Sequence, residues 1–373
     1  MSRRQNTYGT CTPHRHQLHS PVHKTGPNFL AALTLPNVLT RCWSPRNESP
    51  DDEERHNLLS PSSVVPSSLT ERYGPCTEIL HYGSHSCVRL YARKQSPSIG
   101  APKQLHVVKV LRRSSNAFVR ATNRFEQSLS SAVSHPNLLQ TLEVLQNDRG
   151  ETCLVMDYCA GGDLNTLIAT SEETLDVSDA NCFFKQIMRA VVYLHENAIA
   201  HRGLRTENIL LTARGAVKVA DFGSAEWLLD EVAGGEQAES RIRPQLSSLS
   251  SPPRKTVGST PYLAPEEYRD CAMVDPRAGD VWAAGLVYMA MRWGRLLWKM
   301  PCVDQDGNYC AYLRGRQTYE GYPPIEELEE TRCRNVIYAM LHPDPVRRIR
   351  ASEVLRSEWI YGVRVCDAGK MGW

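Results

Sequence analysis

The chain has 373 residues, 41% of them hydrophobic, which suffices for one large two-lobed domain or two ordinary ones with a sizeable core. Its 43 basic and 41 acidic side chains leave a formal net charge of +2, which excludes a broad electrostatic attraction to nucleic acid or to a membrane surface. The 12 cysteines are scattered without a C-x-x-C pair and no apolar run approaches the roughly 18 to 20 residues of a membrane-spanning helix, so the reading is of a cytoplasmic protein with reduced thiols.

Residues 1–70 carry His14, His16, His19 and His23, are rich in Ser, Pro and Asn, and have no acidic residue before Glu48. Such a stretch cannot bury enough apolar surface to fold and is read as a disordered basic leader. A mitochondrial transit peptide would share the arginines and the lack of acids, but a sustained amphipathic period is missing. The histidines, on a Pro-rich segment, are read as polar filler in preference to metal ligands.

From Tyr73 the pattern tightens. Alternation in EILHYGSHSCVRLYAR and, beyond a Pro/Ser/Gly loop, in LHVVKVL predicts a hairpin of strands and places Lys109 inside one of them. Phe118, Ala121, Phe125, Leu129 and Ala132 then recur at three- and four-residue spacing, an amphipathic helix that carries Glu126. The strand-like runs LLQTLEVL and ETCLVMDYC complete a small sheet with one helix against it. Beyond GGDL the chain turns helical, with periodic stretches in DANCFFKQIMRAVVYLHENAIA, at 280–293 and at 331–341.

Seven features follow one another in order: Lys109 in HVVKV, Glu126, HRGLRTEN at 201–208, DFG at 221–223, APE at 264–266, DVWAAG at 280–285 and DPVRRI at 344–349. Together they resemble the eukaryotic protein kinase family. The stretches GSTPYLAPEE, DPRAGDVWAAGLVYMAMRWGRLLWK and YLHENAIAHR look most like the fungal serine/threonine kinases of the halotolerance and nitrogen-permease-reactivator type. The resemblance implies an α+β bilobal fold over residues 73–361, with a small β-rich lobe at 73–157, a larger helical lobe at 160–361 and a short tail at 362–373. It also implies ATP and Mg2+ as cofactors, a protein substrate or signalling partner, no nucleic acid, and a role toward plasma-membrane transporters.

The resemblance assigns roles residue by residue. Lys109, held by Glu126, would neutralise the α- and β-phosphates; Asp221 and Asn208 would take metal, since a hard cation seeks oxygen ligands. Met156, Asp157 and Cys159 would form the connection between lobes that meets adenine, with Leu210 beneath the ring and Val107, where the family has a smaller alanine, crowding it slightly. In the phosphate-covering loop, aligned on Val88, only Gly83 of three expected glycines is present, with His81 and Ser86 in the other two places; side chains there should weaken the grip on phosphate. Asp280 would tether the catalytic loop, Glu266 and Arg348 would form a buried pair, and Arg202 would meet a phosphate on the activation segment, for which Ser251 is a candidate. Ser259 favours serine/threonine specificity.

The largest departure is Gly203, which stands where the family has the aspartate that accepts the substrate hydroxyl's proton. Losing such a base typically costs 10²- to 10⁴-fold. Arg205 replaces the loop lysine and keeps a charge for the γ-phosphate, while Glu207 is expected to point into the structure. Three readings compete: a nucleotide-binding pseudokinase, a weak but active serine/threonine kinase, and a small-molecule phosphotransferase. The APE and DVWAAG elements, which organise a peptide site, speak against the third. The first is preferred.

Overall fold

The computed structural model describes residues 68–94, 103–171, 174–228, 260–268 and 275–373. Residues 1–67 of the expected leader, and Ser251 and Ser259, lie outside them.

Five strands form one antiparallel sheet in the order β1-β2-β3-β5-β4: β1 Cys76–Tyr82, β2 Ser86–Lys94, β3 Lys103–Leu111, β4 Thr141–Gln146 and β5 Thr152–Asp157. The stretch EILHYGSHSCVRLYAR, expected to be one arm of a hairpin, is itself two strands. They meet at a tight turn in which the Gly83 amide donates to the Ser86 carbonyl at 2.9 Å. Alternation along β3 sends Val107 and Lys109 to one face and Val108 and Val110 to the other. Val108 and Val110 pack with Tyr91, Cys153 and Val155, and Leu69 and Tyr73 cover that cluster.

Leu69 and Tyr73 belong to a short helix, α1 (Leu69–Tyr73), which lies N-terminal to the sheet and packs on it. Ser68 and Glu71 cap each other's backbone amides in a capping box. Arg72 and the Tyr73 hydroxyl both reach Glu143 on β4. Helix α2 (Ala117–Ala132) starts at Asn116, whose side chain accepts from the Phe118 and Val119 amides, and turns Val119, Phe125, Glu126, Leu129 and Ser130 inward.

The large lobe is built on α3 (Leu164–Thr170), α4 (Val177–Glu196), α5 (Pro265–Tyr268) and α6 (Pro276–Trp293), with six further helices between Gly307 and Met371. Trp282, Tyr288, Phe183 and Phe184 on α4 and α6 are almost wholly buried, each contributing on the order of 1.5–3 kcal/mol from area removed from water. Short strand pairs β6 with β9 (Ile199–Ala200 with Glu226–Trp227) and β7 with β8 (Ile209–Leu211 with Val217–Val219) carry the loops between the lobes. No helix among the described residues is long and apolar enough to cross a membrane.

The expected tail at 362–373 is packed into the large lobe. Val365, Cys366 and Ala368 share a buried cluster with Cys182 on α4 and Ala216, and residues Asp367–Met371 form a last helical turn against α4.

Candidate active site

The lobes meet at Lys109. Register places it opposite Val88 on β2 and Leu154 on β5, and its ammonium bonds both the Glu126 carboxylate on α2 and Asp221 Oδ1, the latter at 2.8 Å. Glu126 is a charged residue on the buried face of an amphipathic helix, which the lysine explains: unpaired, it would cost several kcal/mol. Burial works against the charge on Lys109, but Glu126 and Asp221 more than offset it and hold its pKa above the ordinary value. Burial likewise works against ionised Asp221, and Lys109 outweighs it, so that carboxyl titrates at about 2.

Asp221 has a left-handed backbone, φ 69, a conformation costing roughly 1 kcal/mol for a residue with a side chain. The turn aims Oδ1 at Lys109 and lets it accept from the Gly223 amide at 3.3 Å. Arg202 is the second such residue in the site, φ 55. Its strain is held by Asp280, whose two oxygens accept from the amides of His201 (2.8 Å) and Arg202 (2.7 Å), with His195 Nε2 at 2.9 Å. The expected tether is therefore seen atom by atom. His201 lies fully buried between the two segments: Nδ1 accepts from the Gly203 amide and Nε2 faces the Ala220 carbonyl, one residue before Asp221. Burial pushes its pKa down, which fits the neutral tautomer that this pattern requires.

Beside these charges lies an apolar slot. Leu139, Met156, Cys159 and Ala220 form one buried cluster, and Val107 from the small lobe and Leu210 from the large lobe pack against it. Asp157 is exposed on the connection between lobes, and the Cys159 carbonyl accepts from the Gly162 amide. In the turn between β1 and β2, His81 and Ser86 adopt ordinary negative-φ backbones, so the absent glycines leave no strain behind. A flat aromatic base between Val107 and Leu210, with phosphates and a metal at Lys109 and Asp221, fits the residues present.

The catalytic loop differs from expectation at Glu207. Glu207 does not point inward; it is about as exposed as Arg205 and grips that guanidinium through both oxygens, at 3.0 and 2.6 Å. Arg205 is thus engaged within its own loop. The pairing raises the Arg205 pKa, and it lowers that of Glu207 against the effect of burial. Gly203 takes no left-handed φ. A Cβ built there would meet His201 at 3.5 Å and Asn208 at 3.7 Å, ordinary contacts. Asn208 Nδ2 donates to the Gly203 carbonyl at 2.8 Å, which fixes the loop across the position of the missing carboxylate.

Behind the loop, Arg348 and Glu266 form a two-pronged pair at 2.6 and 2.9 Å, both buried. The guanidinium also donates to the carbonyls of Ala278 and His342 and lies 5.0 Å over the Trp282 ring. Arg202 bonds Glu226 at 3.2 Å and lies 3.8 Å from Glu267. Sequence reasoning overlooked these two acids, and also the buried Thr206 hydroxyl, 2.8 Å from that of Tyr262. Spacing gives no hint of pairs formed between strands and loops far apart in the chain.

Matching against known families supplies the decision: the protein kinase domain family covers residues 77–360. The chain belongs to the protein kinase family. Among curated relatives, serine/threonine-protein kinase hal4 of Schizosaccharomyces pombe is 41% identical over 311 residues, 83% of this chain and 46% of its own length. Serine/threonine-protein kinase HAL4/SAT4 of Saccharomyces cerevisiae is 39% identical over 336 residues, 87% and 52% respectively. A probable serine/threonine-protein kinase HAL5-like of Kluyveromyces lactis is 28% identical over 344 residues, 82% and 43%. The resemblance to fungal halotolerance-type kinases and the bilobal α+β fold hold, and the chain spans about half the length of these relatives.

Proposed function

We propose that this kinase-family chain binds ATP with Mg2+ and acts as a pseudokinase or very weak serine/threonine kinase, in signalling to membrane transporters. One contrast carries the reading: Lys109 is set between Glu126 and Asp221, while position 203 offers no carboxylate to a substrate hydroxyl. Lys109, Asp221 and Asn208 would hold the phosphates and metal; Val107, Met156, Cys159 and Leu210 would hold the base. When bound, Mg-ATP supplies the transferable phosphoryl group and the charge that neutralises it. This chain's residues orient it and shield it from water. The acceptor's proton has no positioned base, a loss of about 3 to 5 kcal/mol of barrier lowering. We place the activity in the cytoplasm, where ATP and reduced thiols coexist; the nine described cysteines are unbridged.

The second reading, an active kinase transferring the γ-phosphate to protein Ser/Thr, is favoured by the relatives' names and by the unstrained backbone at Gly203. A γ-phosphate transfer assay on a peptide mixture, with magnesium and then manganese, separates the two. We expect turnover at least about a hundredfold below the usual 1–100 per second; a rate inside that range overturns the pseudokinase reading.

A further inference from the structure

Away from the cleft, two nucleophiles are buried side by side at the back of the large lobe. Cys182 on α4 is fully buried and Cys366 in the tail nearly so. The Cys366 amide donates to Cys182 Sγ at 3.4 Å, and the Cys366 thiol lies 3.9 Å from the Gly215 carbonyl. Gln186, one turn along α4, lies with Nε2 3.5 Å from the first sulfur and 3.9 Å from the second. The residues are 184 positions apart in the chain, so their meeting depends on the docking of the tail.

That docking is specific. Asn137 Nδ2 donates to the Gly369 carbonyl at 3.0 Å and to Gln186 Oε1 at 3.1 Å. Gly369 sits so close to α4 that a Cβ would fall 2.3 Å from the Gln186 side chain. The Asn137 carbonyl accepts from the Val219 amide, two residues before Asp221, so the hub that receives the tail also seats the strand leading to the candidate metal ligand.

We propose that Cys182 and Cys366 are a redox modification site, forming a disulfide under hydroperoxide that latches the tail to α4. A hydroperoxide oxidises the Cys366 thiol to a sulfenic acid and leaves as water or an alcohol. The Cys182 sulfur then attacks the Cys366 sulfur, the S–S bond forms, and the expelled hydroxyl leaves with the Cys182 proton as a second water. In the docked state the neighbouring Cys366 thiol and burial both raise the Cys182 pKa, and buried thiols react slowly. The first step therefore belongs to moments when the segment Val365–Met371 lifts from α4 by local opening, and the second to its return. The proposal does not rest on phosphate transfer.

The test treats the full chain with hydrogen peroxide, blocks remaining thiols by alkylation and maps the peptides without reduction. We expect a Cys182–Cys366 linked peptide and a thermal midpoint at least about 4 °C higher, both reversed by dithiothreitol and absent in Cys366→Ser. Gly369→Ala, which obstructs docking, should make both thiols readily alkylated and suppress the link. The proposal fails if peroxide oxidises other cysteines and leaves this pair unlinked, if the link appears without a rise in the midpoint, or if Gly369→Ala links as readily as the parent.

Discussion

The two sides of the cleft treat their charges differently. On the nucleotide side, Lys109 reaches across from the small lobe to carboxylates on α2 and on the large lobe, so each charge meets a group that Mg-ATP would also engage. On the acceptor side, Arg205 and Glu207, two residues apart, close on each other, and the residue beside them is Gly203. On the function proposed above, the difference teaches that a kinase fold would keep the geometry of holding while giving up the geometry of handing over. Holding needs the two lobes in register; transfer needs one further side chain.

The hardest way to break this comparison is to remove the frame that both sides share. Arg348→Ala leaves the buried Glu266 carboxylate without its partner and should cost roughly 3 to 5 kcal/mol, read as a lower urea midpoint at unchanged slope. An unchanged midpoint would mean that the frame does not depend on the pair. The acceptor side is tested by Gly203→Asp. The ordinary backbone and open Cβ position admit the side chain, and peptide phosphorylation should rise at least about a hundredfold. If the variant stays silent while still binding Mg-ATP, the Arg205–Glu207 closure is the obstacle, and Arg205→Lys in the same background should release it.

A comparable effect is expected from pH. Burial raises the Glu267 carboxyl from 4.5 to about 7, with Arg202 opposing. A carboxyl raised in the folded state contributes stability that is complete below its unfolded value and is lost as pH rises through the folded one. The parent should therefore lose about 2 to 3 kcal/mol between pH 4.5 and 8 from this group, and Glu267→Gln should flatten that slope in denaturation measured across the range. The smallest effect belongs to the nucleotide side. Mg-ATP at tenfold over its dissociation constant should stabilise the fold by about 1.4 kcal/mol, a thermal shift that Lys109→Met abolishes.

Much of the fold was legible because its determinants repeat along the chain. The helical period of α2 and the alternation of β3 follow from pattern alone; Phe125 and Leu129 of the expected α2 face are buried, while Phe118, Ala121 and Ala132 are half-buried and Val119, Glu126 and Ser130 complete the inward face. Lys109, Glu126, Asp280 and the Glu266–Arg348 pair were legible through motif order, and the structure brings each to its partner. Unread were contacts without a period. Ser68-Leu-Thr-Glu71 is a capping-box spacing that announces α1, yet five residues carry too little pattern to notice. The tail docks through a glycine, two sulfurs and a buried Gln186 on the apolar face of α4; one polar residue on such a face was the available signal. The Arg205–Glu207 closure is an i, i+2 pair, which helical spacing rules never bring together.

Helix α1 also says where the small lobe may be cut. Arg93 donates to the Arg72 carbonyl at 2.9 Å, and Gly74 turns the chain through φ 79 so tightly that a Cβ would strike the Ala92 carbonyl. A fragment begun at Cys76, the first residue of β1, would strip Leu69 and Tyr73 from the sheet's outer face and leave Glu143 without either partner. A fragment that keeps that face covered must include Ser68 and α1.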